Sequence, residues 1–151
     1  MKQLYLIAQN IRSLHNVGSI FRTADIFNIS KIYLCGYTAT PPRKEICKVA
    51  LGADEWLPWE KYYQTHLLIT QLKSQGIKIY ALETGKNTKN ISKFKPQFPC
   101  ALIIGNEVKG ISPKVLELAD ATLSIPMFGK KESLNVSVAT GIALYKLRNL
   151  S

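Results

Sequence analysis

The chain has 151 residues, 46% hydrophobic and 20% charged, enough for one domain with a core of its own. Twenty Lys and Arg against ten Asp and Glu leave a formal net charge of +10, a field that suits a polyanionic partner such as nucleic acid. No apolar run reaches the ~20 residues of a membrane span, the apolar N-terminal stretch is too short for a secretory signal, and Cys35, Cys47 and Cys100 are scattered without C-x-x-C spacing, so the expectation is a cytoplasmic protein with no membrane anchor, disulfide framework or metal.

In chain order, the apolar run at 4–8 reads as a buried first strand. A helix is expected over 17–28. It opens in "SLHNVGSIFRTAD" (13–25), where Asn16, Gly18 and Arg22 stand close together and the arginine interrupts the apolar run Ile20-Phe21-Arg22-Thr23-Ala24. A strand follows at 31–35, then helices at 43–51 and 60–75 and a strand at 77–82. The stretch "KNTKNISKFK" holds Lys86, Lys89, Lys93 and Lys95 with no acid among them. Strands are expected at 101–104 and 122–125, with a helix at 113–119 between them. The last helix, 134–149, has Val136, Ala139, Ala143 and Leu147 at helical spacing, and Lys146 and Arg148 near its C-terminus, where cations suit the helix dipole. This alternation signals an α/β fold, a mainly parallel sheet flanked by helices, with runs such as "ALIIG" buried on both faces. No linker or repeat divides residues 1–151, which read as one domain.

Three loops follow strands and mix polar residues with glycine: "LETG" (82–85), "IGNEVKG" (104–110) and "IPMFGKKESLN" (125–135). In open α/β sheets, ligands bind beyond the carboxyl ends of the strands, so these loops are the candidate site. None holds G-x-G-x-x-G or G-x-x-x-x-G-K-[ST], which leaves a nicotinamide site and a P-loop without support. A glycine-rich loop early in the sheet, the usual methyltransferase signal, is also absent. His15 and His66 stand alone, without the partners a catalytic histidine needs.

Taken together, "NVGSIFRTAD", "ALIIGNEVKGIS" and "LSIPMFGKKESLNVSVATGIALY" resemble, in order, the three motifs of the SpoU/TrmH family of the SPOUT superfamily. That family comprises S-adenosylmethionine-dependent RNA ribose 2'-O-methyltransferases. The resemblance covers essentially the whole chain and implies a minimal catalytic domain without an added N-terminal RNA-binding domain. It further implies a C-terminal deep trefoil knot that holds the cofactor, and a homodimer. Periodicity alone suggests no knot, since true knots are otherwise almost absent.

The resemblance assigns residues one by one. The first motif supplies Asn16, Gly18 and Arg22. Gly18 is expected to let the backbone turn as the helix begins, and Asn16 to cap that helix or bond toward substrate. The bland alternative for Arg22 is a guanidinium paired with Asp25 or Glu107 merely to hold the fold. Glu107 itself is expected to orient Arg22 or a neighbouring loop. The cofactor is expected among Leu82, Glu83, Thr84 and Gly85, then Ile104, Gly105, Asn106 and Gly110, then Ile125, Met127, Ser133 and Leu134. Ile125, Met127 and Leu134 also suit plain core. Val108 stands where a small residue is common in relatives. Ser133 is a candidate cap for the last helix, with Asn135 at its first turn. The catalytic set implied is Arg22, Asn16, Glu107, Ser133 and Asn135. RNA contacts are expected from Asn16, Arg22, Arg43, Lys44, Lys86 and Lys89, although the lysine-rich stretch equally suits a solvated loop.

Methyl transfer from a sulfonium needs an oxygen nucleophile in line with the methyl–sulfur bond at near-attack distance, with no metal and no covalent intermediate. A ribose 2'-hydroxyl is a weak nucleophile, so its proton must leave at or near the transition state. The family's proposed base is the motif-one arginine, here Arg22, but a guanidinium has a pKa above ~12 and stays charged. A more conservative role is to grip the 3'-phosphate and stabilise developing alkoxide charge while phosphate or water carries the proton. Transfer RNA is preferred over ribosomal RNA as the target. Two other classes stay open. One is a SPOUT enzyme that methylates a base, against which the first motif argues. The other is an inactive RNA-binding protein, against which the presence of the whole catalytic set argues.

Overall fold

In the computed structural model, whose described residues are 2–149, the chain runs β1 (Leu4–Gln9), α1 (Leu14–Ile26), β2 (Lys31–Cys35), α2 (Lys44–Ala50), α3 (Ala53–Trp56), β3 (Trp59–Tyr62), α4 (Thr65–Ser74), β4 (Lys78–Leu82) and β5 (Lys89–Asn90). A 3-10 turn (Ile91–Lys93), β6 (Cys100–Ile104), α5 (Pro113–Leu116), β7 (Ala121–Ser124) and α6 (Val136–Asn149) complete it. Met1, Leu150 and Ser151, the outermost residues of the expected 1–151 domain, lie outside the described residues.

The strands form one sheet in the order β3-β2-β1-β6-β4-β7-β5, and every strand pairing is parallel. Alternate residues of each central strand therefore face opposite layers. Leu4, Leu6, Ile32, Leu34, Leu102 and Ile104 pack with the buried faces of α1, α2 and α6. Ile7, Tyr33, Ile79, Ala101 and Ile103 pack with Leu68, Ile69 and Leu72 of α4 and Val115 of α5. A sheet covered on both faces explains why "ALII" is apolar at every position, as expected.

The expected helix at 60–75 is corrected. Trp59–Tyr62 instead pairs in register with Ile32–Cys35 as an edge strand. Half-exposed edge residues show no apolar period, and the helical spacing of Leu68, Ile69 and Leu72 belongs to α4 alone. The helix expected at 113–119 contracts to Pro113–Leu116. The short α3 and the two-residue β5 went unforeseen. Lys89–Asn90 of β5 is exposed and charged, with only its backbone to recommend it as a strand. The other elements stand where the pattern put them, shifted by a few residues at their ends.

Gly18 is also corrected. It lies inside α1, not in a turn, and faces α2: a Cβ there would sit 2.6 Å from the Ile46 carbonyl oxygen and 2.8 Å from Val49 Cβ. The glycine permits two helices to touch backbone to backbone.

Candidate functional site

At the carboxyl ends of β4, β6 and β7 the three late loops enclose a cavity of about 170 Å³. Leu82, Glu83 and Thr84 leave β4; Ile104, Gly105, Asn106 and Gly110 leave β6; Ile125, Met127, Ser133 and Leu134 follow β7; and α6 closes one side with Val136 and Ala139. Every residue expected to hold a cofactor thus lines one cavity except Gly85, which sits apart with φ +128° where the chain turns toward β5. Glu107 and Val108 line it as well, with Val108 84% exposed at the rim.

The loop after β6 is fixed from within. Asn106 and Gly110 exchange two backbone hydrogen bonds, with Gly110 at φ +69°, a conformation glycine adopts without strain. The Asn106 side chain is fully engaged: Nδ2 donates to the Asn10 carbonyl (2.9 Å) and the Tyr37 hydroxyl (2.7 Å), and Oδ1 accepts from the amides of Val108 and Lys109. Glu83 accepts from the amides of Thr84 (3.0 Å) and Ile111 (2.9 Å), tying the β4 loop to the β6 loop. Gly105 packs so closely that a Cβ would lie 2.6 Å from the backbone of Gly110 and Ile111.

The three motifs meet through side chains. The Glu107 carboxylate accepts from the amides of Arg12 (2.8 Å) and Ser13 (2.9 Å) and from Asn16 Nδ2 (3.0 Å). Asn135 Nδ2 in turn donates to Asn16 Oδ1 (3.4 Å). Partial burial disfavours the Glu107 charge, but these donors outweigh it and hold the carboxyl below its ordinary range. Glu107 therefore anchors the entry to α1 and does not hold Arg22. Both expected caps are corrected as well. Ser13, not Asn16, caps α1, its Oγ accepting from the Asn16 amide; Asn135, not Ser133, caps α6, its Oδ1 accepting from the amides of Ser137 and Val138. Ser133 is exposed and lines the cavity without a helix to cap.

Arg22 is not brought to the cavity of its own chain. It is exposed on the ridge of α1 shared with His15 and Ile26, and makes no hydrogen bond or ion pair with the described residues. Asp25 accepts from Trp56 Nε1 (2.7 Å), so neither carboxylate considered for Arg22 engages it. Beside that ridge runs α6: a Cβ on Gly141 would lie 3.6 Å from Thr23, and the Phe27 and Tyr145 rings meet edge to face at 6.3 Å. Val138, Ile142 and Tyr145 of α6 and Ile26 of α1 are all exposed there.

Among the expected RNA contacts, Lys86 and Lys89 are exposed on the segment leaving the β4 loop, which Thr88 ties to Ser124 of β7 at 2.8 Å. Arg43 and Lys44 stand at the start of α2, with Arg43 3.6 Å from Glu45. Burial pushes the thiols of Cys35 and Cys100 up to about 12, so neither serves as a nucleophile near neutrality. No group of three or more His, Cys, Asp or Glu residues among those described could hold a metal ion, and no described helix is long and apolar enough to cross a membrane. The positioning residues Ser13, Asn10 and Tyr37 escaped the sequence reading. A serine just before an apolar-periodic run was the one available signal, for Ser13.

A family model described as the SpoU rRNA Methylase family matches residues 3–145. The chain is 36% identical over 146 residues to the tRNA (guanosine(18)-2'-O)-methyltransferase of Aquifex aeolicus, which covers 96% of this chain and 68% of that protein. The fold is similar to the crystal structure of the A. aeolicus TrmH/SpoU tRNA modifying enzyme, with TM-score 0.90, 33% identity, and 99% of this chain and 76% of that chain covered. It is similar also to the AdoMet-bound rRNA methyltransferase from Sinorhizobium meliloti, with TM-score 0.91, 27% identity, and 99% and 57% covered. The chain spans 57% to 76% of the length of these relatives.

Proposed function

This chain belongs to the SpoU rRNA Methylase family, and from that premise we propose that it transfers a methyl group from S-adenosylmethionine to a ribose 2'-hydroxyl of structured RNA, transfer RNA before ribosomal RNA. The observation that carries the reading is the hydrogen-bonded chain Glu107–Asn16–Asn135, which joins all three motifs beside the cavity that Glu107 lines. The preference for transfer RNA follows the activity named for the Aquifex aeolicus relative.

The residues that line the cavity suit the cofactor. Leu82, Ile125, Met127 and Leu134 give it apolar walls, and Gly105 and Gly110 keep the backbone close to its contents, the usual make-up of a small-molecule site. When bound, S-adenosylmethionine supplies an electrophilic methyl group on a positively charged sulfur. This chain's residues then orient and stabilise. Glu107 and Asn16 hold the start of α1 against the cavity loop, and Asn135 and Ser133 present polar groups where α6 begins. Arg22 grips the phosphate beside the acceptor ribose and stabilises the developing alkoxide.

A homodimer is part of the reading. Ile26, Val138, Ile142 and Tyr145 form an exposed apolar stripe on α1 and α6, the kind of surface a second copy covers. Arg22 stands on that stripe outside its own cavity, so we assign it to the interface, where it serves the neighbour's site. The deep trefoil knot belongs to the same reading. Its support is the strand order: β6 enters between β1 and β4, β7 lies beyond β4, and α6 returns to α1. A cytoplasmic location accords with an RNA target and with unpaired cysteines.

The test is the product. Methylation removes the internal nucleophile that alkali uses to cleave RNA, so RNA labelled by this protein with a radioactive methyl group should yield labelled, alkali-stable dinucleotides. Label released in mononucleotides would mean base methylation and would overturn the reading. Cofactor binding with no transfer to any RNA would favour the inactive RNA-binding protein.

A further inference from the structure

A second cavity, about 270 Å³, opens where β1, β2 and β3 end. The segment after β6 is the wall between the two. Gly105 and Gly110 line the first cavity, while Ser112, Lys114 and Val115 line the second. That wall is tied to β1 on the second side. Gln9 Nε2 donates to Ser112 Oγ (3.1 Å), the Ser112 amide donates to Gln9 Oε1 (3.2 Å), and Asn106 of the first cavity donates to the carbonyl of Asn10, which lines the second.

Tyr63, directly after β3, lines this cavity and is 77% exposed. Its setting is built. Lys61 Nζ donates to the carbonyls of Gly36 and Thr38, both at 2.6 Å, and lies 5.0 Å from the Tyr63 ring centroid as a cation–π partner. The ring therefore stands beside a pinned cation with most of its surface open. Gln64, His66 and Lys114 line the same cavity and offer donors and acceptors.

We propose that this second cavity is a nucleotide subsite for RNA: one unpaired base stacks on Tyr63, Gln64 and His66 meet its edge, and Lys114 meets its phosphate. The inference rests on the reading of the protein as an RNA methyltransferase. An aromatic platform beside cations is a general way to hold single-stranded nucleic acid, and RNA sequence is read chiefly at unpaired bases. With Asn10 and Asn106 joining the two cavities, a base seated here sets which ribose reaches the first. The subsite selects the target nucleotide by register.

The experiment uses the full chain and bulk tRNA from cells lacking the gene, fluorescently labelled for anisotropy and substituted with 4-thiouridine for crosslinking. Tyr63→Ala should raise the Kd for RNA about 5- to 100-fold, Tyr63→Phe should stay within about twofold of wild type, and cofactor affinity by calorimetry should not move in either. Crosslinked peptides should contain Tyr63. An unchanged Kd in Tyr63→Ala, with no crosslink at 63–66, in a protein that methylates RNA would overturn the subsite and leave the activity standing. A Tyr63 crosslink in a protein that transfers no methyl to RNA would support the subsite and overturn the activity instead. No RNA binding by wild type would overturn both.

Discussion

Arg22 has nothing to pair with among the described residues. A structural arginine looks different: Arg148 donates to the carbonyls of Lys2, Phe27 and Asn28. Arg22→Ala should therefore leave urea stability within about 0.5 kcal/mol while turnover falls roughly 10²- to 10³-fold, the typical cost of losing one donor to transition-state charge. Near-native turnover would remove Arg22 from the mechanism. Glu107 is the opposite case, engaged by three donors. Hydrogen bonds to a charged group are strong, so Glu107→Gln should lower stability by about 1–3 kcal/mol at neutral pH. The folded carboxyl is held below its ordinary value, so its contribution is fully present above the unfolded pKa near 4.5 and fades as pH falls through the folded value. The stability gap between wild type and Glu107→Gln should thus narrow in denaturant melts run below pH 4.5. A gap that widened there would contradict the assignment.

For the elements, the contact of α1 with α2 is the sharpest test. Replacing glycine by alanine inside a helix ordinarily stabilises by about 1 kcal/mol. At Gly18 the added Cβ meets Ile46 and Val49 well inside contact distance, and overpacking costs about 1–3 kcal/mol. Gly18→Ala should therefore destabilise by up to about 2 kcal/mol in urea melts, in place of the ordinary gain. Stabilisation would show that the helices part easily. The same physics governs the loop after β6, where a Cβ at Gly105 would meet the Gly110–Ile111 backbone. Gly105→Val should distort this loop, and cofactor affinity by calorimetry should drop sharply while the distant α1–α2 contact survives.

For the whole molecule, the exposed stripe on α1 and α6 predicts a sedimenting mass twice that of one chain. A fully active monomer would sink the dimer. If Arg22 serves the neighbouring site, Arg22→Ala and Gly105→Val, each inactive alone, should recover roughly a quarter of wild-type activity when refolded together, because one site in each mixed dimer of a two-fold pair is intact. No recovery in demonstrably mixed dimers would return Arg22 to its own cavity. The net charge of +10 makes RNA binding salt-dependent. Neutralising Lys86 and Lys89 together should reduce the logarithmic salt slope by about 1–2. An unaltered slope would leave these lysines as a solvated surface.

By itself the sequence determined the α/β class, the buried strands and the cavity-lining loops, because each rests on local information. Burial on both faces writes a continuous apolar run such as Cys100–Ile104, and a loop folded tightly against its neighbours needs glycine at fixed positions such as 105 and 110. The tertiary structure decided what depends on partners far along the chain. Edge strand β3 exists because β2 offers it backbone groups, while its own half-exposed side chains carry no period. Gly18 answers to α2, Glu107 to Arg12 and Ser13, and the place of Arg22 to a helix face that no spacing reveals. The second cavity draws on four separate segments, 9–10, 36, 63–66 and 112–115, and no local pattern joins them. Periodicity reports which face of an element is buried; only folding in three dimensions chooses what it is buried against.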